Sequence, residues 1–223
     1  RLGGAPNVWN SAMLVYQALL LGGYYYAHRL SRLPLRRQAQ IHLALFALAA
    51  LTLPVGLANL APPRPGSEIW WVPLLLALSI GPVFFLVSAQ APLMQRWFAA
   101  DPQAGNPYAL YAASNLGSFG GLIAYPMLVE PLLPLKLQSW GWSVGYLVLA
   151  VLIALSARAR WNLAEAPLTA QSAATAPVPL RRIALWLVLA MVPSGLMLST
   201  TTHLTTDLFA MPLLWVIPLG IYL

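Results

Sequence analysis

Long apolar blocks, each about as long as a bilayer crossing, are separated along this chain by short stretches holding most of its charges. A helix needs about 20 residues at 1.5 Å each to cross a hydrocarbon core of about 30 Å. Six blocks meet that length and a seventh stops short of it: about Val8 to His28, Gln38 to Leu60, Ile69 to Phe98, Pro107 to Val129, Trp140 to Ala157, Ile183 to Thr202, and Leu208 to Leu223. The third carries Pro73, Pro82 and Pro92, which predicts tilting or kinking rather than one straight rod. The pattern thus predicts an all-α, polytopic transmembrane bundle of about seven spans. Between Arg158 and Arg182 the apolar period gives way to Ala, Thr, Ser and Pro, the composition of a linker. The expected division is a five-span bundle over 1–157, a cytoplasmic linker over 158–182, and two further spans over 183–223. The short last block and the Arg at position 1 read as the ends of a fragment, and no signal-peptide pattern opens the chain.

Composition strengthens the membrane reading. The 223 residues are 60% hydrophobic and 8% charged, against about 25% charged in soluble domains. That excludes an ordinary soluble enzyme or a disordered region, and the absence of Cys excludes thiol chemistry and a disulfide scaffold. Twelve basic against five acidic residues leave a net charge of +7, and their placement explains them. If the first span starts outside, nine of the twelve fall in inner loops: Arg29, Arg32, Arg36, Arg37, Arg96, Arg158, Arg160, Arg181 and Arg182. Arg1, Arg64 and Lys136 remain outside. The basic excess reports orientation in a lipid bilayer, with no need of nucleic acid. Trp9, Trp70, Trp71, Trp140, Trp142 and Trp215 fall near expected outer interfaces, and Trp97 and Trp161 near inner ones, as amphipathic anchors do.

The segments RLGGAPNVWN with SAMLVYQALLLGGYYYAH, APLMQRWF, NPYALYAASNLGSFGGLIAYPMLVEPLL and STTTHLTTDLFAMPLLWVIPLGIYL resemble the membrane part of the fused major-facilitator/spermidine-synthase-like family. The resemblance implies that the first visible span is the second helix of a partial major-facilitator-like arrangement in a bacterial cytoplasmic membrane. It implies transport or delivery of a small solute, such as a polyamine. In such transporters the cytoplasmic loop after the second helix carries a Gly, Asp and basic-residue motif. Here it reads HRLSRLPLRR, with His28 at the Asp place and Ser31 at the Gly place, which weakens the transport implication. The family's soluble Rossmann-like domain would follow the membrane part. No Gly-rich strand-to-helix turn followed by an acid is found here, so no enzyme activity is assigned to this stretch.

Four groups of residues are candidates for chemistry. Tyr111, Ser114, Asn115 and Ser118 recur at three and four residues and share one helical stripe, which must face protein or water. Such a stripe suits a substrate path. It equally suits helix packing, with Gly117 and Gly121 as a GxxxG pair and Asn115 as interhelical glue. The run from Ser199 through Thr201 and His203 to Asp207 reads as an outward-facing mouth, or as hydroxyls bonding backbone carbonyls while Thr206 or Asp207 caps the next helix. Gln90 and Gln95, with Ser88, surround Pro92, where a broken backbone takes side-chain partners, and Gln90 is also a candidate to line a polar substrate cavity with Asn115. Glu130 sits at an outer helix end, placed to snorkel to water or pair with Lys136. His28 and His42 flank the first basic loop and form a remote candidate for axial haem ligation, no cofactor being the main expectation. With three His in all, no metal site is expected.

Two functions are therefore carried forward. One is the membrane domain of a spermidine-synthase-like fusion that moves a small solute. The other is a non-catalytic accessory subunit packed into a larger membrane assembly with other subunits.

Overall fold

A computed structural model of the chain describes residues 6–63, 66, 68–101, 104–106, 108–161, 178–203 and 220. Helices and their connections make up these residues, with no strand among them. The helices are α1 (Pro6–Leu30), α2 (Leu35–Ala50), α3 (Glu68–Ser88), α4 (Gln90–Ala99), α5 (Tyr108–Ala124), a π-helical segment (Tyr125–Val129), α6 (Glu130–Leu132), α7 (Leu135–Ala159) and α8 (Leu180–His203). They fall into two units: one holds α1 to α4 with α7, the other α5, α6 and α8.

In the first unit α1 and α3 run in the same direction. Tyr16 meets Phe84 with ring centroids 5.1 Å apart, and further along Ala27 and Leu30 pack with Ala89 and Leu93. α2 runs antiparallel to both and packs beside α3, and α7 lies antiparallel to α2. Three contacts fix that last register: Arg36 with the Trp161 carbonyl, the Tyr146 hydroxyl with the Phe46 carbonyl, and the Ser139 hydroxyl with the Val55 carbonyl. The core is built from Ala39, Phe46, Ala49, Val83, Leu86, Trp97, Tyr146 and Ile153. On α2 the buried positions are Gln38, Ala39, His42, Phe46 and Ala49, one stripe at spacings of three and four.

The basic segments of this unit gather at one end, as the charge count requires. Arg36 and Trp161, Arg96 and Ser31, and Arg160 with Phe98 and Asp101 join the α1–α2 loop to the ends of α4 and α7. At the opposite end the loop after α2 is tied back: Ala58 N–H donates to Ser79 Oγ at 2.9 Å and Trp71 Nε1–H to Ala61 O at 2.8 Å.

Two helices depart from the sequence expectation. Block length predicts a second helix reaching Leu60, but α2 ends at Ala50. Its last turn tightens to i→i−3 bonds, ending with Leu53 N–H to Ala50 O at 3.1 Å. Pro54 then has no N–H to offer and holds Leu53 out of the helical region. At 16 residues, α2 rises only about 24 Å. The third block is one apolar path, but its interruption falls at Ala89. Pro92 explains the place, since its ring crowds the carbonyl four residues earlier, on Ser88, and leaves it without a donor. Pro73 and Pro82 lie inside α3, which continues through both.

In the second unit, α5, the π segment and α6 form a continuous helical path over 108–132. Between Pro126 and Pro131 the helix widens, and Glu130 N–H reaches back five residues to Tyr125 O. The side chains described along α8 are exposed except for the partly covered Met197. Among the described residues three helical stretches are long and apolar enough to cross a membrane: Trp70–Ala99, which joins α3 and α4, Leu135–Ala159 and Leu180–Thr200. α1 has the length, 25 residues, but is more polar, with Asn, Gln and four Tyr.

Candidate functional site

A helix buried on one face normally fills that face with apolar side chains, so polar residues there need a partner. α2 places two on its buried stripe, Gln38 and His42, one turn apart and 3% and 0% exposed. α4 runs antiparallel beside them and offers Gln90 and Trp97, seven residues or two turns apart. The pairs match in register: Gln90 Nε2 lies 2.5 Å from His42 Nε2, and Trp97 Nε1–H donates to Gln38 Oε1 at 3.0 Å. Gln38 Nε2 in turn donates to Leu33 O at 2.7 Å, closing the α1–α2 turn. From α1, the Tyr26 hydroxyl meets His42 Nδ1 at 3.0 Å.

The arrangement engages both ring nitrogens and couples the imidazole tautomer to the orientation of the Gln90 amide. With the Gln90 amide nitrogen against it, Nε2 accepts, so the ring proton sits on Nδ1 and is donated to the Tyr26 oxygen. Gln90 Nε2 has a second proton, aimed at Leu86 O at 3.4 Å. Gln90 Oε1 is left buried and unpartnered. Turning that amide over reverses the chain, with Nε2–H donating to Oε1 and the Tyr26 hydroxyl donating to Nδ1. Tyr26 stacks on the imidazole at 5.8 Å and Phe46 covers it at 5.1 Å. Phe46 in turn stacks on Tyr146 of α7 at 4.6 Å, nearly parallel. Five side chains thus bond α1, α2 and α4 together, and an aromatic step extends the contact to α7. Among the described residues no carboxylate or cation touches the imidazole. Holding helices in register is what the cluster can do chemically.

Gln90, expected beside Pro92 as a repair for broken backbone, does bond Leu86 O one turn back, and it also holds His42. His28 and His42 occupy different surroundings. His28 is exposed and takes Arg32 on Nε2 at 3.3 Å, whereas both nitrogens of His42 are engaged. Among the described residues no group of three His, Asp or Glu converges.

Trp97, expected at the membrane interface, is buried at 2% exposure because its indole N–H is needed by Gln38. Trp161 is half-buried, with Arg36 stacked over it at 5.6 Å. Trp70, Trp140 and Trp142 are exposed, as anchors should be. Tyr26 and Gln38 are not among the residues that sequence reasoning singles out. The spacing of Gln38, His42 and Phe46 is the available signal, since it marks a polar pair on an apolar stripe.

The remaining candidates lie in the second unit. Tyr111, Ser114, Asn115 and Ser118 are all exposed on α5. A Cβ added at Gly117 or Gly121 would meet nothing within 4 Å. Ser199 Oγ bonds Leu196 O at 3.1 Å, which supports backbone bonding for that hydroxyl. His203 ends α8, exposed. The side chains of Trp9 and Thr201, and all of Asp207, Trp215 and the expected seventh span except Gly220, lie outside the described residues. Glu130 and Lys136 are both exposed.

The chain matches no family model, no curated protein and no solved structure.

Proposed function

We propose that this chain is the membrane-embedded part of a protein that passes a small polar solute across a lipid bilayer, with α5 forming part of the path. Three helices of sufficient length and apolarity support the membrane setting. A polyamine is the solute class that the family resemblance implies. The observation that carries the reading is the polar stripe of Tyr111, Ser114, Asn115 and Ser118 on a helix whose side chains are exposed on every face over 111–121. On a helix otherwise rich in Leu, Ala and Gly, an uncovered amide and hydroxyls at membrane depth are costly against lipid, so they call for water or a polar ligand.

The test is uptake of radiolabelled spermidine by vesicles containing the full chain. Uptake above that of protein-free vesicles is expected, falling at least tenfold for Asn115→Leu at equal reconstituted amount. Normal uptake by the variant removes α5 from the path, and a wild-type protein that admits no spermidine removes the polyamine reading.

The open space at Gly117 and Gly121 favours a second reading, an accessory subunit whose α5 packs against a helix of another chain. In that case Gly117→Leu releases a copurifying partner, and spermidine uptake is absent from the start.

A further inference from the structure

The arginines at the basic end of the first unit divide by what they touch. Three bond other segments of the unit, although Arg36 and Arg96 remain exposed, while among the described residues Arg32 meets only His28 of its own turn. Arg36 donates to Trp161 O at 3.0 Å and stacks on its ring, Arg96 bonds Ser31 O at 3.5 Å, and Arg160 pairs with Asp101 at 3.0 Å. These staple the ends of the helices together. Arg29, Arg37 and Arg158 are exposed and form no ion pair among the described residues.

Each of Arg29, Arg37 and Arg158 ends an exposed apolar stripe on its own helix. On α1 the stripe runs Leu14, Leu21 and Tyr25 to Arg29, with Leu14 at 64% and Leu21 at 70% exposure. On α2 it runs from Arg37 through Ile41 to Leu48, and on α7 through Val148, Val151 and Leu155 to Arg158. The spacings are those of one helical face. α1, α2 and α7 differ in direction, so the same design recurs at the C-terminal end of two helices and the N-terminal end of the third. Helix polarity therefore does not account for it. An apolar face suited to acyl chains, closed at one common end by a guanidinium, matches a phospholipid whose phosphate lies at that level.

From this division we infer that Arg29, Arg37 and Arg158 form a collar that binds the phosphates of anionic phospholipids, while Arg36, Arg96 and Arg160 serve the protein's own structure. A guanidinium binds phosphate with two parallel hydrogen bonds, and an anionic headgroup adds a net charge that a zwitterionic one lacks. Among the described residues Asp101 is the acid at this end, and it is held by Arg160. The inference rests on the membrane-spanning reading of the helices and is independent of the solute.

The experiment uses the full chain purified in mild detergent from vesicles of phosphatidylglycerol and phosphatidylcholine in equal parts, with retained lipid measured by mass spectrometry. The wild-type protein is expected to retain phosphatidylglycerol at least threefold over phosphatidylcholine. Arg29→Gln, Arg37→Gln and Arg158→Gln combined should bring that ratio to about one. The matched triple Arg36→Gln, Arg96→Gln and Arg160→Gln, with the same change in net charge, should keep the preference while melting at lower temperature. Arg→Lys at the three collar positions keeps the charge and should keep most of the preference, which also guards against loss of folding in the Gln variant. Equal loss in both Gln triples, or no preference in the wild type, overturns the collar. A protein that fails to enter the vesicles at all overturns instead the membrane reading on which it rests.

Discussion

Gly23→Ala is expected to destabilise the first unit by about 1–3 kcal/mol, the usual cost of forcing a methyl into a filled contact. α1 approaches α3 so closely there that a Cβ on Gly23 would collide with the Ser88 hydroxyl and sit 2.8 Å from the Phe85 carbonyl oxygen. The hydroxyl can rotate, but the carbonyl belongs to the α3 backbone, so the helices must part. Ser88 Oγ bonds Phe85 O at 2.7 Å and approaches Leu19 O at 3.5 Å, and separation weakens that bridge as well. The neighbouring Gly22→Ala is the control. Its Cβ would meet the edge of the Phe85 ring at 3.3 Å, and a ring can turn where a carbonyl cannot. Thermal unfolding of the detergent-purified full chain, followed by tryptophan fluorescence, should show a clear drop for Gly23→Ala and a smaller one for Gly22→Ala. Equal melting of all three proteins would mean that α1 and α3 are not in this contact.

The same pair of helices shows what can be read from the sequence. Apolar length locates α1, α3 with α4, α7 and α8 to within a few residues, because burying or lipid-solvating a 20-residue block does not depend on its neighbours. Charge placement puts Arg29 to Arg37, Arg96, Arg158 and Arg160 at one end, and the contacts of Arg36, Arg96 and Arg160 join those ends. Block length misplaces the end of α2 because it ignores Pro54, although a proline within a run of hydrophobic residues still denies the helix a donor. Side-chain partners are harder. Gln90 stands out for its place beside Pro92, but its partner His42 is 48 residues away, and nothing local in either segment encodes that pairing. By its place at the edge of a basic loop, His42 reads as a surface imidazole. Its position on the Gln38 and Phe46 stripe argues for burial, and its exposure is 0%. The aromatic residues divide in the same way: Trp97 and Trp140 look alike in sequence, and only the availability of Gln38 Oε1 between the helices separates a buried indole from an interfacial one.

The cluster around His42 accounts for three polar side chains inside an apolar bundle, and its removal in parts should differ sharply from its removal as a whole. His42→Leu alone leaves the Gln90 amide and the Tyr26 hydroxyl without their imidazole, each at a cost of about 1–3 kcal/mol where water cannot reach. Gln90 then keeps only the long bond to Leu86 O and adds a second unmet group to the Oε1 already without a partner. Combining His42→Leu with Tyr26→Phe and Gln90→Met removes donors and acceptors together and fills similar volume. The triple variant is expected to recover to within about 1 kcal/mol of the wild-type protein, since cross-helix hydrogen bonds in membranes average about 0.6 kcal/mol when both partners are replaced. Melting of the single and triple variants measures this, and a triple variant as unstable as the single one would show that the bonds are not what holds α1, α2 and α4 together. Spermidine uptake by the recovered triple variant then separates structure from chemistry. Normal uptake limits Tyr26, His42 and Gln90 to aligning helices. Loss of uptake in a protein of restored stability would mean that the imidazole and its two neighbours take part in the passage itself.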